Sequence, residues 1–492
     1  MSVSDVAVRT RGWKPWYSLW ALLLCGWAVS AADRSITGPV VTWMIQNDVA
    51  FFQGVANPHA LGGLIGGLFF AGYMLTQFPG GYLGDRYGYR SLIVVSLLWA
   101  GVVTILTGVL AGLFAFIALR VITGLGEGVY YSNDRSLISE TTPLRQRSLG
   151  MGVVIAGLSI GITIATVGTP WMIKLGETLL PGETTAWRMP FLLLGVATTL
   201  VGVVLLVWFK RSGKPLPLGR TTLHLMGFSG ASFAAIIAVY YIAHKVFHLS
   251  ELWVAIIEVF LAAMIALYIL SRKGGELAPV AKNRDLLLIY VAAFAILWNL
   301  WFFSFWAVDI IGTVAKNSSF LQAALVAGFN AGAGLLGFPV GGWLSDRAVK
   351  RGFRRKPMLL AFTLTQAVLT FVFTIYATNG QPNLWVMAAL LFTTSLFFNA
   401  LQPISQALTA DIAPEENRGS AFGMWNMIGE TGAVLSPAIS GVLRDATGSW
   451  AAALYLDGAI VFASFCVLAL VRETRRGPTG GAGSSAPEAV KA

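Results

Sequence analysis

The sequence predicts an all-α polytopic membrane protein, with two related six-helix bundles and an inserted two-helix hairpin, about fourteen transmembrane helices in total. Hydrophobic residues make up 56% of the 492 residues and charged residues only 12%. The mean hydropathy of +0.70 is far above that of a soluble chain of this length. Apolar runs of about 20 residues, long enough to cross a bilayer, recur along the chain. Two motifs also occur twice, which indicates an internal duplication.

The first repeated motif is a glycine-rich turn that ends in Asp-Arg. It reads Gly80-Gly81-Tyr82-Leu83-Gly84-Asp85-Arg86 in the first half and Gly341-Gly342-Trp343-Leu344-Ser345-Asp346-Arg347 in the second. The two aspartates are 261 residues apart. A second motif, an acidic residue followed by Pro and Arg, occurs at 140–147 and again at 411–418. Because both motifs keep their order, we interpret the chain as two related halves.

The first half begins with an apolar run that is too long for a secretory signal. This run follows a basic start, but it contains Asp33-Arg34 and lacks a small-residue cleavage site, so we interpret it as the first span. Six spans are predicted in this half, near 16–45, 60–82, 91–112, 114–138, 148–173 and 187–209. The second half holds six more, near 286–310, 320–343, 357–378, 384–408, 420–442 and 450–471.

Two additional apolar segments, 223–243 and 252–271, lie between the halves and predict a peripheral hairpin. The predicted organisation is a cytoplasmic N-terminus at 1–15, a bundle at 16–209, a linker with the hairpin at 210–284, a bundle at 285–472 and a disordered cytoplasmic tail at 473–492. His244 and His248 have helical spacing in the hairpin turn, but two histidines make a poor metal site. Cys25 and Cys466 lie in apolar runs, so neither a disulfide nor a metal site is expected.

Basic residues of the short loops fall on one side of this arrangement. Among them are Arg86, Arg90, Arg145, Lys210, Arg211, Lys350, Arg351 and Arg475. This bias places both termini in the cytoplasm and predicts a multi-pass protein of the plasma membrane, the inner membrane of a bacterium. It also explains the net charge of +11 without a nucleic-acid partner.

Charged residues inside the predicted spans are the candidates for chemistry, because such charges are costly unless they are paired or face a polar cavity. Asp33 and Arg34 are adjacent, so their side chains point about 100° apart on a helix. Arg120 and Glu127 lie two turns apart on the fourth span, about 10 Å along the axis, on a polar stripe that continues to Tyr130. We therefore predict that Asp33 pairs with Arg120, and Arg34 with Glu127 or a ligand.

A purely structural salt-bridge network is the alternative interpretation of these charges. Buried ion pairs are weak stabilisers, however, whereas a carboxylate beside a movable arginine changes its proton affinity as the arginine moves. Polar residues of the second half complete the predicted cavity: Asn399, Gln402, Gln406, Asn426 and Glu430. Asn299 and Asn330 are interpreted instead as contacts between helices.

The glycine-rich turn with its Asp and Arg resembles the signature loop of the major facilitator superfamily. Four segments resemble its anion:cation symporter family in particular: Asp33-Arg34, Tyr73-x-x-x-Gln77-x-Pro79-Gly80-Gly81, Arg120-x-x-x-Gly124-x-Gly126-Glu127 and Gly423-x-x-Asn426-x-x-Gly429. The resemblance implies uptake of organic anions such as sugar acids. It also implies that Arg34 and Tyr73 bind the substrate, that Asp33 and Glu127 carry protons, and that Asn426 contributes from the second half.

The predicted function is that of a secondary transporter, most simply the proton-coupled uptake of a small organic anion by alternating access. The predicted substrate-binding residues are Arg34, Tyr73, Arg120, Tyr130, Asn399, Gln402, Gln406 and Asn426. The predicted proton carriers are Asp33 and Glu127. The predicted gating residues, which close the cytoplasmic side, are Asp85, Arg86, Arg90, Asp346 and Arg347.

The expected partners are a small anionic substrate and the lipid bilayer, and we expect a monomer with no cofactor beyond a coupling proton or sodium ion. A second hypothesis is proton-driven export of amphipathic lipids or drugs, because the Spinster group of lipid exporters shares an Asp-Arg first span and a Gly-Glu fourth span. A third, an enzyme or receptor, is disfavoured because no nucleotide-binding loop, metal cluster or catalytic-triad spacing is visible.

Overall fold

The helices of the protein follow its apolar runs closely. The computed structural model describes residues 13–143, 147–213, 215–250, 252–257, 259–261, 264, 274–316, 318–380, 382–414 and 417–472. In these ranges the chain is almost entirely helical and has no β-strand. The α-helices are α1 (Pro15–Gln46), α2 (Pro58–Tyr87), α3 (Tyr89–Val109), α4 (Leu113–Glu127), α5 (Tyr130–Thr141), α6 (Arg147–Leu179), α7 (Arg188–Arg211), α8 (Leu218–Tyr241), α9 (Gly274–Ala281), α10 (Arg284–Val314), α11 (Phe320–Gly332), α12 (Gly334–Lys350), α13 (Arg355–Thr378), α14 (Leu384–Ile412), α15 (Arg418–Thr447) and α16 (Ala451–Ala469).

Twelve segments of the described chain are long and apolar enough to cross a membrane. The predicted all-α membrane fold is therefore confirmed. Helix α15 is membrane-length but is not among the twelve, because its polar residues, including Asn426 and Glu430, lower its hydropathy. Half of the second hairpin helix, predicted at 252–271, lies outside the described residues, although a short apolar helix is present at Leu252–Leu261. The predicted N-terminal segment up to residue 12 and the tail from 473 lie outside them as well, and the division into domains stays a prediction.

Two membrane-length segments, Leu113–Thr141 and Phe320–Lys350, are each built from two consecutive helices. Gly128 and Val129 join α4 to α5 and keep right-handed helical backbone angles, so the direction of the span continues. A side chain at Gly128 would collide with the Tyr73 carbonyl and the Thr76 hydroxyl of α2. Glycine is therefore required here for the close approach of the two spans.

The two halves pack against each other at one end of the molecule. We call the end with Asp85 and Asp346 the cytoplasmic end, as the sequence predicts, and the opposite end the outer end. Near the outer end, α2 contacts α15 and α1 contacts α10. A Cβ at Gly63 would overlap the Pro437 carbonyl, so the backbones of α2 and α15 touch there.

The cytoplasmic end is more open. Gly423, near the start of α15, and Gly152, near the start of α6, each face open space, with nothing within 4 Å of an added Cβ. Gly84 and Gly341 are tightly packed, but only against residues of their own half. Among the described residues the close backbone contacts between the halves lie at the outer end, and we interpret this as an inward-facing arrangement.

Helix α8, the first helix of the hairpin, lies on the outside of the first half. It packs against α2, α3 and α4, and its His224 ring contacts the Tyr87 hydroxyl at 3.0 Å. Leu223 and Met226 on its other face are exposed. The position of α8 is peripheral and leaves the interface between the halves unobstructed, whereas the hairpin as a whole stays a prediction.

Candidate functional site

Arg34 and Glu127 form an ion pair deep inside the protein. Nη2 of Arg34, on α1, lies 3.2 Å from Oε2 of Glu127, on α4. Ser30, one turn before Arg34, joins them: its hydroxyl accepts from Arg34 Nη2 at 2.8 Å and donates to Glu127 Oε2 at 3.0 Å. The second oxygen of Glu127, Oε1, has no hydrogen-bond partner in the described residues. The predicted pairing of Arg34 with Glu127 is present, and Oε1 of Glu127 remains available for a further hydrogen bond.

Aromatic rings surround the Arg34 guanidinium. Its Cζ lies 4.7 Å from the centre of the Tyr73 ring, 5.5 Å from Trp27 and 6.0 Å from Trp301. Such cation–π contacts favour a cation whose water shell has been removed. Trp301 belongs to α10 of the second half, so both halves contribute to the surroundings of Arg34. We call the set Trp27, Arg34, Tyr73, Glu127 and Trp301 the arginine box.

Asp33 and Arg120 form a separate and fully enclosed cluster. Asp33 Oδ1 lies 3.2 Å from Arg120 Nη1, and Asp33 Oδ2 accepts a hydrogen bond from Thr104 at 2.5 Å. Arg120 Nη2 also donates to the hydroxyls of three threonines, Thr104, Thr107 and Thr123. Both charged side chains are completely buried within the first half. In this conformation Arg120 therefore neutralises Asp33 and is not available to a ligand in the box.

Three polar residues connect α2 to α15 beside the box. The Asn426 side-chain amide donates to Gln77 Oε1 at 2.8 Å. Gln77 Nε2 in turn donates to Glu430 Oε1 at 3.4 Å. Gln77 lies one turn after Tyr73 on the same helix face, so this chain of bonds extends the box into the second half. Gln77 and Glu430 were absent from the predicted binding set, although Gln77 stands in the Tyr73-x-x-x-Gln77 motif and could have been found from it.

Asn399 lies at a small cavity between the halves. The cavity is lined by Ser159 of α6, Ser304 of α10, Asn330 of α11 and Asn399 of α14, together with apolar side chains. Ser304 donates to Ser35 at 3.2 Å, next to Arg34. Ser304 thus joins this polar surface to α1, one residue after Arg34.

Tyr130, Gln402 and Gln406 are placed differently from one another. The Tyr130 hydroxyl donates to the Leu23 carbonyl at 3.1 Å and the ring packs edge-on against Trp27, so Tyr130 joins α5 to α1. Tyr130 therefore supports the wall of the box through Trp27. Gln402 and Gln406 are half-buried on α14.

A comparison with known families decides the class of protein to which the chain belongs. The family profile of the Major Facilitator Superfamily matches residues 23–347 and 310–491, nearly the whole chain. The chain belongs to the major facilitator superfamily. The prediction that it is a membrane transport protein and not an enzyme is confirmed by this match and by the relatives that follow.

Several curated relatives of this superfamily member are sugar-acid transporters. The D-galactonate transporter of Escherichia coli O6:H1 is 24% identical, over 82% of this chain and 85% of that protein. The hexuronate transporter of Bacillus subtilis is 26% identical, over 85% and 87%. A probable galactarate/D-glucarate transporter of the same organism is 23% identical, over 91% and 90%.

Solved structures of the superfamily share the fold. A D-xylose–proton symporter superposes with a TM-score of 0.63 at 15% identity, covering 94% of this chain and 99% of that chain. A bacterial homologue of the human lysosomal transporter Spinster, in an inward-facing and occupied conformation, gives a TM-score of 0.61 at 15% identity, covering 94% and 96%. At these identities the likeness extends to the fold alone.

The predicted gating residues of this facilitator do not connect the halves in the observed conformation. Asp85 accepts a hydrogen bond from Tyr89 at 2.7 Å, and Arg90 donates to Ser212 at 3.0 Å. Asp346 pairs with Arg355 at 3.1 Å within the second half. None of the five predicted residues forms an ion pair across the halves in the described part of the chain. Because the cytoplasmic end is open here, their role in closing it stays a prediction.

At the outer end a histidine bridges the halves, a contact that sequence reasoning missed. Nδ1 of His59, at the start of α2, lies 2.7 Å from Asp445 Oδ1 of α15, and its Nε2 lies 3.4 Å from Asp309 Oδ2 of α10. The Ala60 amide also donates to Asp445 at 2.8 Å. We call His59, Asp309 and Asp445 the outer latch. No sequence spacing connects these residues, because the contact depends on how the halves meet.

Proposed function

We propose that the protein takes up a small organic anion of the sugar-acid class together with protons, by alternating access. The observation that carries this proposal is the arginine box: one buried guanidinium, shared between a carboxylate and aromatic rings, at the junction of two related halves. The names of the sugar-acid transporting relatives support the substrate class. A site between two repeats near the middle of the membrane is the usual position in secondary transporters.

Arg34 is the group that binds the substrate carboxylate. A guanidinium stays protonated and offers a planar pair of N–H donors that matches a carboxylate. In the structure these donors contact Glu127 and Ser30. An incoming carboxylate therefore competes with Glu127 for Arg34.

Competition for Arg34 links the substrate to the proton. Glu127 is buried among apolar and aromatic side chains, and an ionised carboxylate without a cation is costly there. When the substrate takes Arg34, Glu127 becomes neutral by binding a proton at its unpartnered Oε1. The substrate and the proton then leave together when the site faces the cytoplasm, since Arg34 returns to Glu127.

The second half supplies neutral polar contacts for the remainder of the ligand. Ser304 and Asn399 line the small cavity between the halves, and Asn426 bonds to Gln77 one turn after Tyr73 of the box. Hydroxyl groups of a sugar acid suit such amide and hydroxyl partners. Lipid export, the alternative, calls for a long apolar cavity, whereas the box and its surroundings carry Arg34, Glu127, Gln77 and Glu430.

Uptake by the purified protein in liposomes tests this function. D-galactonate, D-glucuronate and D-glucarate are compared with galactose and a lysophospholipid, each with and without a pH gradient that is acidic outside. The proposal predicts accumulation of at least one sugar acid that disappears when a protonophore removes the gradient. Transport of the lysophospholipid with no response to any carboxylate would overturn it.

A further inference from the structure

The outer latch joins the two halves through both nitrogens of one imidazole ring. Nδ1 of His59 lies 2.7 Å from Oδ1 of Asp445, on α15, and Nε2 lies 3.4 Å from Oδ2 of Asp309, on α10. His59 belongs to the first half, and both aspartates belong to the second. Each ring nitrogen therefore faces a carboxylate oxygen of the other half.

These two contacts determine how many protons the closed latch holds. An ionised carboxylate only accepts hydrogen bonds, and a neutral imidazole has one N–H donor and one lone pair. A neutral His59 therefore satisfies one aspartate, while the lone pair of its second nitrogen faces the other carboxylate. The imidazolium form carries an N–H on both nitrogens and fits both contacts.

The remaining partners of the two aspartates are also donors. Asp445 Oδ2 accepts from the Ala60 amide at 2.8 Å, and Asp309 Oδ2 accepts from Trp450 Nε1 at 2.8 Å. Both carboxyl groups thus act as acceptors toward the neighbouring residues. The additional proton of the closed latch is therefore placed on the ring of His59.

The surroundings of the ring favour a cation. The centre of the His59 ring lies 5.7 Å from that of Trp306 and 5.8 Å from that of Trp450, and the residue is only 9% exposed. Aromatic rings at this distance stabilise an enclosed cation. A neutral ring would leave two uncompensated carboxylates in this buried place, whereas an imidazolium leaves one, and each such charge is costly.

Other charged residues at this end do not take the place of the imidazolium. The helices α1, α4 and α15 pack against α2. Asp309 and Asp445 are the charged groups that face the ring. Asp48 follows α1, Lys316 follows α10, and Arg444 precedes Asp445. Among the described residues, none of these three forms an ion pair with the latch.

We propose that the outer latch is a proton-operated gate, which closes by taking up one proton on His59. The proton comes from water on the outer side, binds Nε2 and returns to the outer side when the latch opens, so it is not transported. A Cβ at Gly441 would overlap the His59 carbonyl, so α2 and α15 touch at the latch and must separate there when the site opens outward. This gate goes beyond the proposed function, since it does not depend on which substrate is carried.

Linkage gives the direction of the pH response. The closed latch holds the proton between two carboxylates, whereas in the open state His59 behaves as an exposed histidine, with an ordinary pKa of about 6.5. Acidity therefore favours closure. Closure is fully favoured below about pH 6.5, and above it the ratio of closed to open protein falls by up to about tenfold per pH unit, as expected for one proton.

Electron paramagnetic resonance distances across the outer end measure the closed fraction. Spin labels are attached at Leu110→Cys in the first half and Asn379→Cys in the second, both exposed positions, in a protein whose two native cysteines are replaced. The protein is held in lipid nanodiscs without substrate, and the pH is varied from about 6 to about 9. The closed fraction of the native latch is expected to fall as the pH rises.

Two substitutions separate the latch from other titrating groups. His59→Gln cannot take up the proton, and Asp309→Asn removes the carboxylate that a neutral ring would face. Both should respond to pH less steeply than the native protein, by up to about tenfold per pH unit. At high pH, Asp309→Asn should also be more closed than the native protein, a result that a merely structural ion pair would not give.

His224→Gln and Asp457→Asn are the matched controls. His224 contacts Tyr87 at the cytoplasmic end, and Asp457 bonds to Asn299 at 2.6 Å within the second half. Both variants should keep the native pH response.

A native closed fraction that does not fall as the pH rises would overturn the proposal. A native pH response in Asp309→Asn would overturn it as well, and this variant decides the matter even if His59→Gln does not fold. Failure of the proposed function is distinguishable, because it would appear as a lack of sugar-acid transport, whereas this measurement contains no sugar acid.

Discussion

Arg34 Nη2 and Glu127 Oε2 lie 3.2 Å apart, and the hydroxyl of Ser30 bonds to both. Both side chains belong to the first half and are buried. Trp301 of the second half lies 6.0 Å from Arg34 Cζ, so the pair lies where the two halves meet.

Replacing Arg34 tests its role as the carboxylate ligand. Arg34→Lys keeps the charge but loses the planar pair of donors, and Arg34→Ala loses both. We expect Arg34→Lys to weaken binding of a transported sugar acid and Arg34→Ala to weaken it further. A charge-assisted hydrogen bond is worth about 1.5–3 kcal/mol, or roughly ten- to a hundredfold in affinity.

Isothermal titration calorimetry with the purified variants measures this loss of affinity for the sugar acid. The neutral sugar that corresponds to the acid is the control, and its weak binding should change little. If affinity followed alkyl chain length across a ligand series, at about 0.8 kcal/mol per methylene, and ignored Arg34, the anion assignment would be wrong.

The Asp33–Arg120 cluster is expected to stabilise the first half. Arg120→Leu leaves a completely buried carboxylate without its cation, a change that typically costs about 3–5 kcal/mol. We expect a marked loss of thermal stability for this variant and a smaller one for Asp33→Asn. The double variant should recover part of the loss, because no charge is then left unpaired. Thermal unfolding in detergent measures this, and strictly additive losses would argue against the pairing.

The outer latch is expected to hold the inward-facing arrangement. Hydrogen bonds to charged groups contribute about 1.5–3 kcal/mol each, so removing them shifts the population toward outward-facing states by tenfold or more. In a cysteine-free background, Ser35→Cys reports this shift through labelling by an impermeant thiol reagent from outside. His59→Ala should raise the labelling rate.

His224→Ala is the matched control for the latch, because His224 contacts Tyr87 at the cytoplasmic end. It should leave labelling of position 35 unchanged. Equal labelling in the His59 and His224 variants would show that the latch does not limit outward opening.

The predicted topology is tested by single cysteines in the cysteine-free protein. Positions 86, 214, 282 and 350 should react from the cytoplasmic side and position 245 from outside, because basic loops face the cytoplasm and the hairpin adds an even number of spans. Cytoplasmic labelling of position 245 would contradict the hairpin.

The sequence predicted those parts of the site that depend on rare residues. Charges are unusual inside membrane spans, so Asp33, Arg34, Arg120 and Glu127 were conspicuous and their pairing followed from helix geometry. Contacts between the halves were not predictable in the same way. The bond of Gln77 to Glu430 and the outer latch of His59 depend on the angle between two bundles, which no local pattern records.

Two residues lie on the predicted helix face, but contacts with neighbouring helices already engage their side chains. Tyr130 lies on the predicted polar stripe, but its hydroxyl is taken by the Leu23 carbonyl. Arg120 likewise lies on that stripe, but Asp33 and three threonines engage it. A spacing pattern gives the face of a helix, whereas the partners of that face come from the neighbouring helices.

The most direct test of proton-coupled anion uptake compares gradient-driven accumulation with exchange in Glu127→Gln. Glutamine resembles the protonated carboxyl but cannot release a proton, so the variant should still exchange external for internal sugar acid while losing accumulation driven by a pH gradient. Full gradient-driven accumulation by Glu127→Gln would contradict the account.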